Sequence, residues 1–108
     1  MPEALKRLIH SIGYLPGIGE KSATKLAFFL LNANKQYIEA LTENLKNIHE
    51  KVTPCPVCFS LCDTGRSLCN ICNNSSRDHT AICIVEEYLD MMTIEDSGGY
   101  TGVYHVLG

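Results

Sequence analysis

Six cysteines stand in this chain of 108 residues, and four of them are paired: Cys55-Pro-Val-Cys58, ten residues, then Cys69-Asn-Ile-Cys72. Two thiolates separated by two residues can hold one ion from a single tight turn, and a second such turn completes a tetrahedron around Zn²⁺. The intervening Phe59 to Leu68, with Asp63-Thr64-Gly65-Arg66 as a turn, is long enough to fold the two halves together. Four closed ligands leave no position for water or substrate, so the ion expected is one structural Zn²⁺ per chain, held by Cys55, Cys58, Cys69 and Cys72. Iron in the same cage would make an electron carrier instead. Cys62 and His79 are the rival ligands, although the symmetric pairs explain the spacing without them; Cys83, inside an apolar run, reads as core. The residue after each pair often needs a left-handed backbone, which Asn73 tolerates and Phe59 does not, so distortion is expected on the Phe59 side.

A second group of residues is suited to holding an anion. Leu15-Pro-Gly-Ile-Gly-Glu-Lys-Ser-Ala reads as the turn of a helix-hairpin-helix motif. Glycines there let the backbone approach a phosphate closely, and the amides around Gly17, Ile18 and Gly19 lie at the start of a helix, where free N–H groups and the helix dipole attract negative charge. Lys21 and Lys25, four apart, share a face beside that turn and are the side chains expected to touch a DNA backbone. The plainer reading is a glycine turn that serves helix packing, with Ile18 as a plug between the helices. Glu86 is a third candidate, because it leaves the C-terminal end of a predicted strand, where α/β folds place ligands, and Asp90 lies one helical turn on. That pair is a candidate magnesium or partner site, with helix capping as the simpler role. No serine has a nearby His and carboxylate pattern that would activate it as a nucleophile.

The elements that must position these groups follow from periodicity. Leu5, Leu8, Ile9 and Ile12 mark one face of a helix from about Pro2 to Ile12, which Gly13 can end. A second helix follows the glycine turn with Ala23, Leu26, Ala27 and Leu30 on its inner face. Phe28, Phe29 and Leu31 broaden its apolar surface beyond one stripe, which points to a further contact with another subunit. Ile38, Leu41, Leu45, Ile48 and Val52 carry a third helix that Pro54 stops. Ala81 to Val85 is a short continuous apolar run, the pattern of a strand buried on both faces. Leu89 and Met92, with Met91, predict a short helix broken by Gly98-Gly99, and Tyr104 to Leu107 predicts another strand. Strand, helix, strand needs further strands to bury its sheet, so an α/β domain incomplete at Gly108 is expected.

Charge divides the chain. Residues 1–53 carry seven Lys and Arg against five Glu, while residues 54–108 carry two Arg against seven Asp and Glu, within an overall charge of −3. Four thiolates around Zn²⁺ add a further −2 to the second half. Phosphate contact is therefore expected from the first half and not from the metal module. The longest apolar run, Leu26 to Leu31, has six residues, far short of the ~20 that span a bilayer. Met1-Pro-Glu lacks the charged start and apolar core of a secretory signal, which places the protein in a reducing cytoplasm, where free thiols favour metal over disulfides.

The order of a helix-hairpin-helix, a four-cysteine module and Ile82-Cys-Ile-Val-Glu-Glu-Tyr-Leu-Asp90 resembles the bacterial RecR family of recombination mediators. The resemblance runs along essentially the whole chain and is carried by Leu15 to Ala27, the paired cysteines, Ser76-Arg-Asp78 and Tyr104-His-Val-Leu-Gly108. It implies an α+β architecture: residues 1–53 as a helix-hairpin-helix region for DNA binding and oligomerisation, 54–78 as a four-cysteine zinc finger, and 79–108 as the start of a truncated Toprim-like domain. It further implies a non-enzymatic repair protein of the bacterial cytoplasm and nucleoid. Such a protein forms a homo-oligomer, at least a dimer through its N-terminal helices. It binds single- and double-stranded DNA without sequence preference, and works with RecO and RecF to load RecA on gapped single-stranded DNA coated by SSB. Lys21 and Lys25 match the family's basic hairpin positions, and Glu86 and Asp90 match the first acidic region of Toprim. Tyr88 stands where the family usually has proline, and Cys62 is extra. The alternatives are a rubredoxin-like redox module and a fragment of a ligase- or topoisomerase-like DNA enzyme.

Overall fold

Small residues at one helix crossing build the N-terminal part of the protein, which a computed structural model describes for all residues from Met1 to Gly108. Helix α1 (Glu3–Gly13) packs on α2 (Glu20–Asn32), and the residues that meet there are Gly13, Ala23 and Ala27. A methyl group on Gly13 would stand 3.6 Å from the Ala23 Cβ, an ordinary contact, so the crossing leaves room there for one small side chain and little more. Ile12, Ala23 and Ala27 are buried, with Leu5, Leu8, Ile9, Ile18 and Leu30 closing around them. Ile18 is thus the plug between the helices. Phe28, Phe29 and Leu31 remain exposed on the outer side of α2, as their excess over one stripe predicts. Helix α3 (Lys35–Glu50) buries no residue fully, although the Phe29 and Tyr37 rings meet edge to face, 6.1 Å apart, between α2 and α3. The structure falls into two compact units, Met1–Asn44 and Leu45–Gly108.

The end of α3 differs from the expectation. The helix stops at Glu50, and Val52–Pro54 forms strand β1, paired antiparallel with β2 (Leu61–Asp63) in the register Val52 to Asp63 and Pro54 to Leu61. Val52 carries on the helical rhythm of α3, but β-branched Val52 and Thr53 before a proline favour extended backbone, and the ladder supplies their partners.

The second unit then runs β3 (Asp78–Val85), α4 (Tyr88–Ser97) and β4 (Gly102–Val106), with β3 and β4 parallel. This is the strand, helix, strand order read from the sequence. The core is Val85, Met91, Tyr104 and Val106, flanked by Tyr88, Ile94 and Tyr100. Two details are corrected. Helix α4 turns Met91 inward, 3% exposed, and leaves Leu89 outside at 72%, because Tyr88, Met91 and Ile94 at three-residue intervals form the stripe that meets the sheet. Strand β3 is not buried on both faces: Ile82 and Ile84 are 63% and 66% exposed, since α4 covers only the side that carries Cys83 and Val85.

Polar ties hold this unit together. The Arg77 guanidinium donates from Nη2 to Glu95 Oε1 at 2.5 Å and from Nε to the Gly102 carbonyl at 2.9 Å, while the Tyr104 hydroxyl donates to the same carboxylate at 2.6 Å. Gly102 is required where it stands: a Cβ there would collide with the Tyr100 hydroxyl and the Ala81 carbonyl. No helix is long and apolar enough to cross a membrane.

Candidate metal centre and nucleic-acid interface

The two cysteine pairs are brought together by short hydrogen-bonded turns. The Phe59 amide donates to the Cys55 carbonyl at 2.9 Å and the Cys55 amide to the Ser60 carbonyl at 2.6 Å, closing the first turn at the end of β1; the Asn73 amide donates to the Cys69 carbonyl at 3.0 Å and closes the second. The sulfurs of Cys55, Cys58, Cys69 and Cys72 then lie within 4.8 Å of one another, with Cys58 and Cys69 3.6 Å apart. A tetrahedral ion bound by sulfur at ~2.3 Å needs sulfurs roughly 3.8 Å apart, so the cage has the size and the donor set for Zn²⁺. Cys55, Cys58 and Cys69 are buried.

Backbone amides aim at these sulfurs. Cys69 N donates to Cys55 Sγ at 3.5 Å, Ser60 N to Cys58 Sγ at 3.4 Å and Cys72 N to Cys69 Sγ at 3.4 Å. Burial pushes the Cys55 thiol up, but the amides of Cys58, Cys69 and Val57 outweigh it and bring the group down to about 6. For Cys58 and Cys72 burial prevails and raises the pKa, and at Cys72 the neighbouring sulfurs of Cys58 and Cys69 add to the rise. One thiolate is thus stabilised by the fold alone, and four in so small a space call for a cation to balance them.

Ser60 is the residue that motif reading passes over. It is wholly buried, and its hydroxyl lies 3.1 Å from Cys58 Sγ, where it can donate to a thiolate. Nothing in the cysteine spacing marks it; only its place two residues after a ligand does. Phe59 takes the positive φ anticipated for it, 62°, alone among non-glycine residues, whereas Asn73 does not. Its ring meets the His105 ring edge on at 5.5 Å, a contact that helps hold the strained backbone. The metal loop is also fixed to β4, because the Val106 amide donates to the Cys58 carbonyl at 2.8 Å. Ile71 packs against both the cysteine cluster and the α/β core.

The rival ligands are used elsewhere. Cys62 sits on β2 with its sulfur 3.9 Å from the Thr53 hydroxyl, outside the cage, and His79 Nε2 lies 2.9 Å from the Asn74 carbonyl. Asp90 accepts from the Glu87 amide at 3.0 Å in a capping box whose other half is the Glu87 side chain. Glu86 is exposed at the end of β3, and no third ligand group gathers with it and Asp90.

In the hairpin, Gly17 has φ +82° and Gly19 is the N-cap of α2, with no side chain capping the helix amides. Lys21 and Lys25 lie on the exposed side of α2, opposite Ala23 and Ala27. The arrangement offers uncapped N–H groups and two free cations beside one turn, the donor set that suits a phosphate.

Comparison with known proteins matches these parts in order. A RecR helix-hairpin-helix family model covers residues 5–49, and a Toprim domain model covers residues 80–108. The recombination protein RecR of Brachyspira hyodysenteriae is 42% identical over 106 residues, 98% of this chain and 52% of that protein. RecR of Bifidobacterium adolescentis is 46% identical over 105 residues, 97% of this chain and 52% of that protein, and RecR of Bdellovibrio bacteriovorus is 44% identical over 104 residues, 96% and 50%. The chain spans about half the length of the curated relatives it matches. With both models in the same order as its helical and α/β parts, and with relatives 42% to 46% identical along nearly its whole length, the chain belongs to the RecR family of recombination proteins.

Proposed function

We infer that this chain is a DNA-binding part of a recombinational repair mediator that works with RecO and RecF to help load RecA on gapped single-stranded DNA. The names of its relatives support the repair role, and the hairpin supports the contact: Gly17 and Gly19 offer backbone donors, whereas the Ile18 amide is already bonded to the Leu15 carbonyl at 3.2 Å, and Lys21 and Lys25 flank the turn, in the half of the chain with net positive charge. Zn²⁺ in the Cys55, Cys58, Cys69 and Cys72 cage is read as structural, because four thiolates close its coordination and leave no position for a substrate. The chain is accordingly read as a mediator and not an enzyme, and Glu86 and Asp90 as a partner or magnesium contact only in a larger assembly. The exposed Phe28, Phe29 and Leu31 support a homo-oligomer built through the N-terminal helices, in the bacterial cytoplasm at the nucleoid. The domain division at 1–53, 54–78 and 79–108 belongs to the same reading.

The observation that carries this function is the pair of exposed lysines beside an uncapped helix start. Replacing both, Lys21→Ala with Lys25→Ala, is expected to weaken binding to every DNA sequence alike. It should also flatten the plot of log affinity against log salt by about 1.4 for single strands and 1.8 for duplex. Fluorescence anisotropy titrations across a salt series measure both, and an unchanged slope would remove the hairpin from the contact surface.

A further inference from the structure

The DNA-binding reading leaves one feature of the hairpin unused. Tyr14, the residue directly after α1, is 87% exposed and belongs to none of the hydrophobic clusters. It continues the last turn of α1 in helical backbone, its amide bonded to the His10 carbonyl at 3.2 Å, so Lys6, His10 and Tyr14 follow one another at four-residue intervals on a single face. These three line one side of a groove of about 450 Å³ whose floor is Ile9, Gly13 and Ala23. Glu20, the first residue of α2, also lines it. The groove therefore has an apolar floor, an aromatic ring at its open end, a cation along one wall and a carboxylate that can accept from a base amine.

We propose that this groove takes an unpaired base of single-stranded DNA, with Tyr14 stacking on the base and Lys6 and His10 facing the adjoining phosphates. A base in duplex has both faces covered by its neighbours, whereas an unpaired base offers a face to an exposed ring. Lys6 is free to exchange partners, since its only ion pair is an exposed one with Glu3 at 3.3 Å. The proposal rests on the hairpin reading and sharpens it: Lys21 and Lys25 would hold any nucleic-acid backbone, and Tyr14 would favour single strands.

The test uses the 108-residue chain, an oligothymidine and a duplex of equal length. Tyr14→Leu, at an exposed position, is expected to lower single-strand affinity roughly 5- to 100-fold and to change duplex affinity less than about twofold. Since the chain contains no tryptophan, Tyr14→Trp supplies a single reporter. Its emission should be quenched by oligothymidine and not by duplex, with single-strand affinity kept. Equal losses on both DNAs, or no quenching, would overturn the stacking role while leaving the lysine contacts standing. If Tyr14→Leu spares DNA binding and instead lowers the solution mass, the ring serves a protein contact and the proposal fails. Failure of the underlying hairpin reading looks different: the lysine variants would then bind DNA as the parent chain does.

Discussion

Individual side chains around the cysteines show how far motif spacing reaches. The pairs Cys55 with Cys58 and Cys69 with Cys72 can be named because ligand chemistry imposes their interval, and the structure gathers those four and leaves Cys62 out. The strain at Phe59 can be foreseen from the need for a left-handed residue after the turn. Ser60 cannot, because a buried hydroxyl beside a thiolate follows from the depth of the loop, which spacing does not encode. Its removal gives a direct prediction. Ser60→Ala takes the hydroxyl from Cys58 Sγ, 3.1 Å away, and should weaken metal affinity about tenfold, by competition with a chromogenic chelator, while the fold of the loaded protein persists. Unchanged affinity would mean that the backbone amides alone support the sulfur.

Secondary elements are legible in kind and less so in facing. The order of helices and strands follows from local periodicity, and the glycine breaks at Gly17 and Gly98 fall where positive φ is observed. Which face of β3 and α4 is buried depends on how many layers cover them, and with α4 on one side only, Ile82, Ile84 and Leu89 stay outside. The link between these elements is also invisible to local pattern, since Arg77 and Glu95 are eighteen residues apart. Hydrogen bonding to Arg77 holds the Glu95 carboxyl below its usual 4.5 against the opposing effect of burial. A carboxyl lowered in the folded state stabilises the fold fully above its unfolded value, and that stabilisation is lost as pH falls through the lower folded value. Glu95→Gln should therefore cost ~2 kcal/mol at neutral pH, and the difference from the parent chain should shrink as pH drops from about 5 towards 3. Chemical denaturation at a series of pH values measures it, and because both proteins release metal in acid, the difference isolates Glu95. A gap independent of pH would show that the carboxylate charge is not what matters.

For the chain as a whole, the two halves carry opposite charge. The basic half holds the hairpin, and the acidic half holds the metal cage, whose first loop is bonded to β4 through the Val106 amide. Charge count alone is enough to move DNA contact away from the cysteines, although paired cysteines by themselves invite comparison with DNA-reading zinc fingers. What sequence does not show is that Ile71 and the Cys58 carbonyl make the metal loop part of the same core as the α/β unit. Metal removal should therefore be felt beyond the loop.

Amide hydrogen exchange read by mass spectrometry, on the zinc-loaded chain with and without single-stranded DNA and on the metal-stripped chain, tests this division most directly. DNA is predicted to slow exchange between Tyr14 and Lys25 and to leave Cys55 to Cys72 unchanged. Stripping the metal is predicted to speed exchange in β1, β2, the cysteine loops and β4 while α1 and α2 keep their protection. Slowing by DNA at the cysteine loops, with none at the hairpin, would contradict the account.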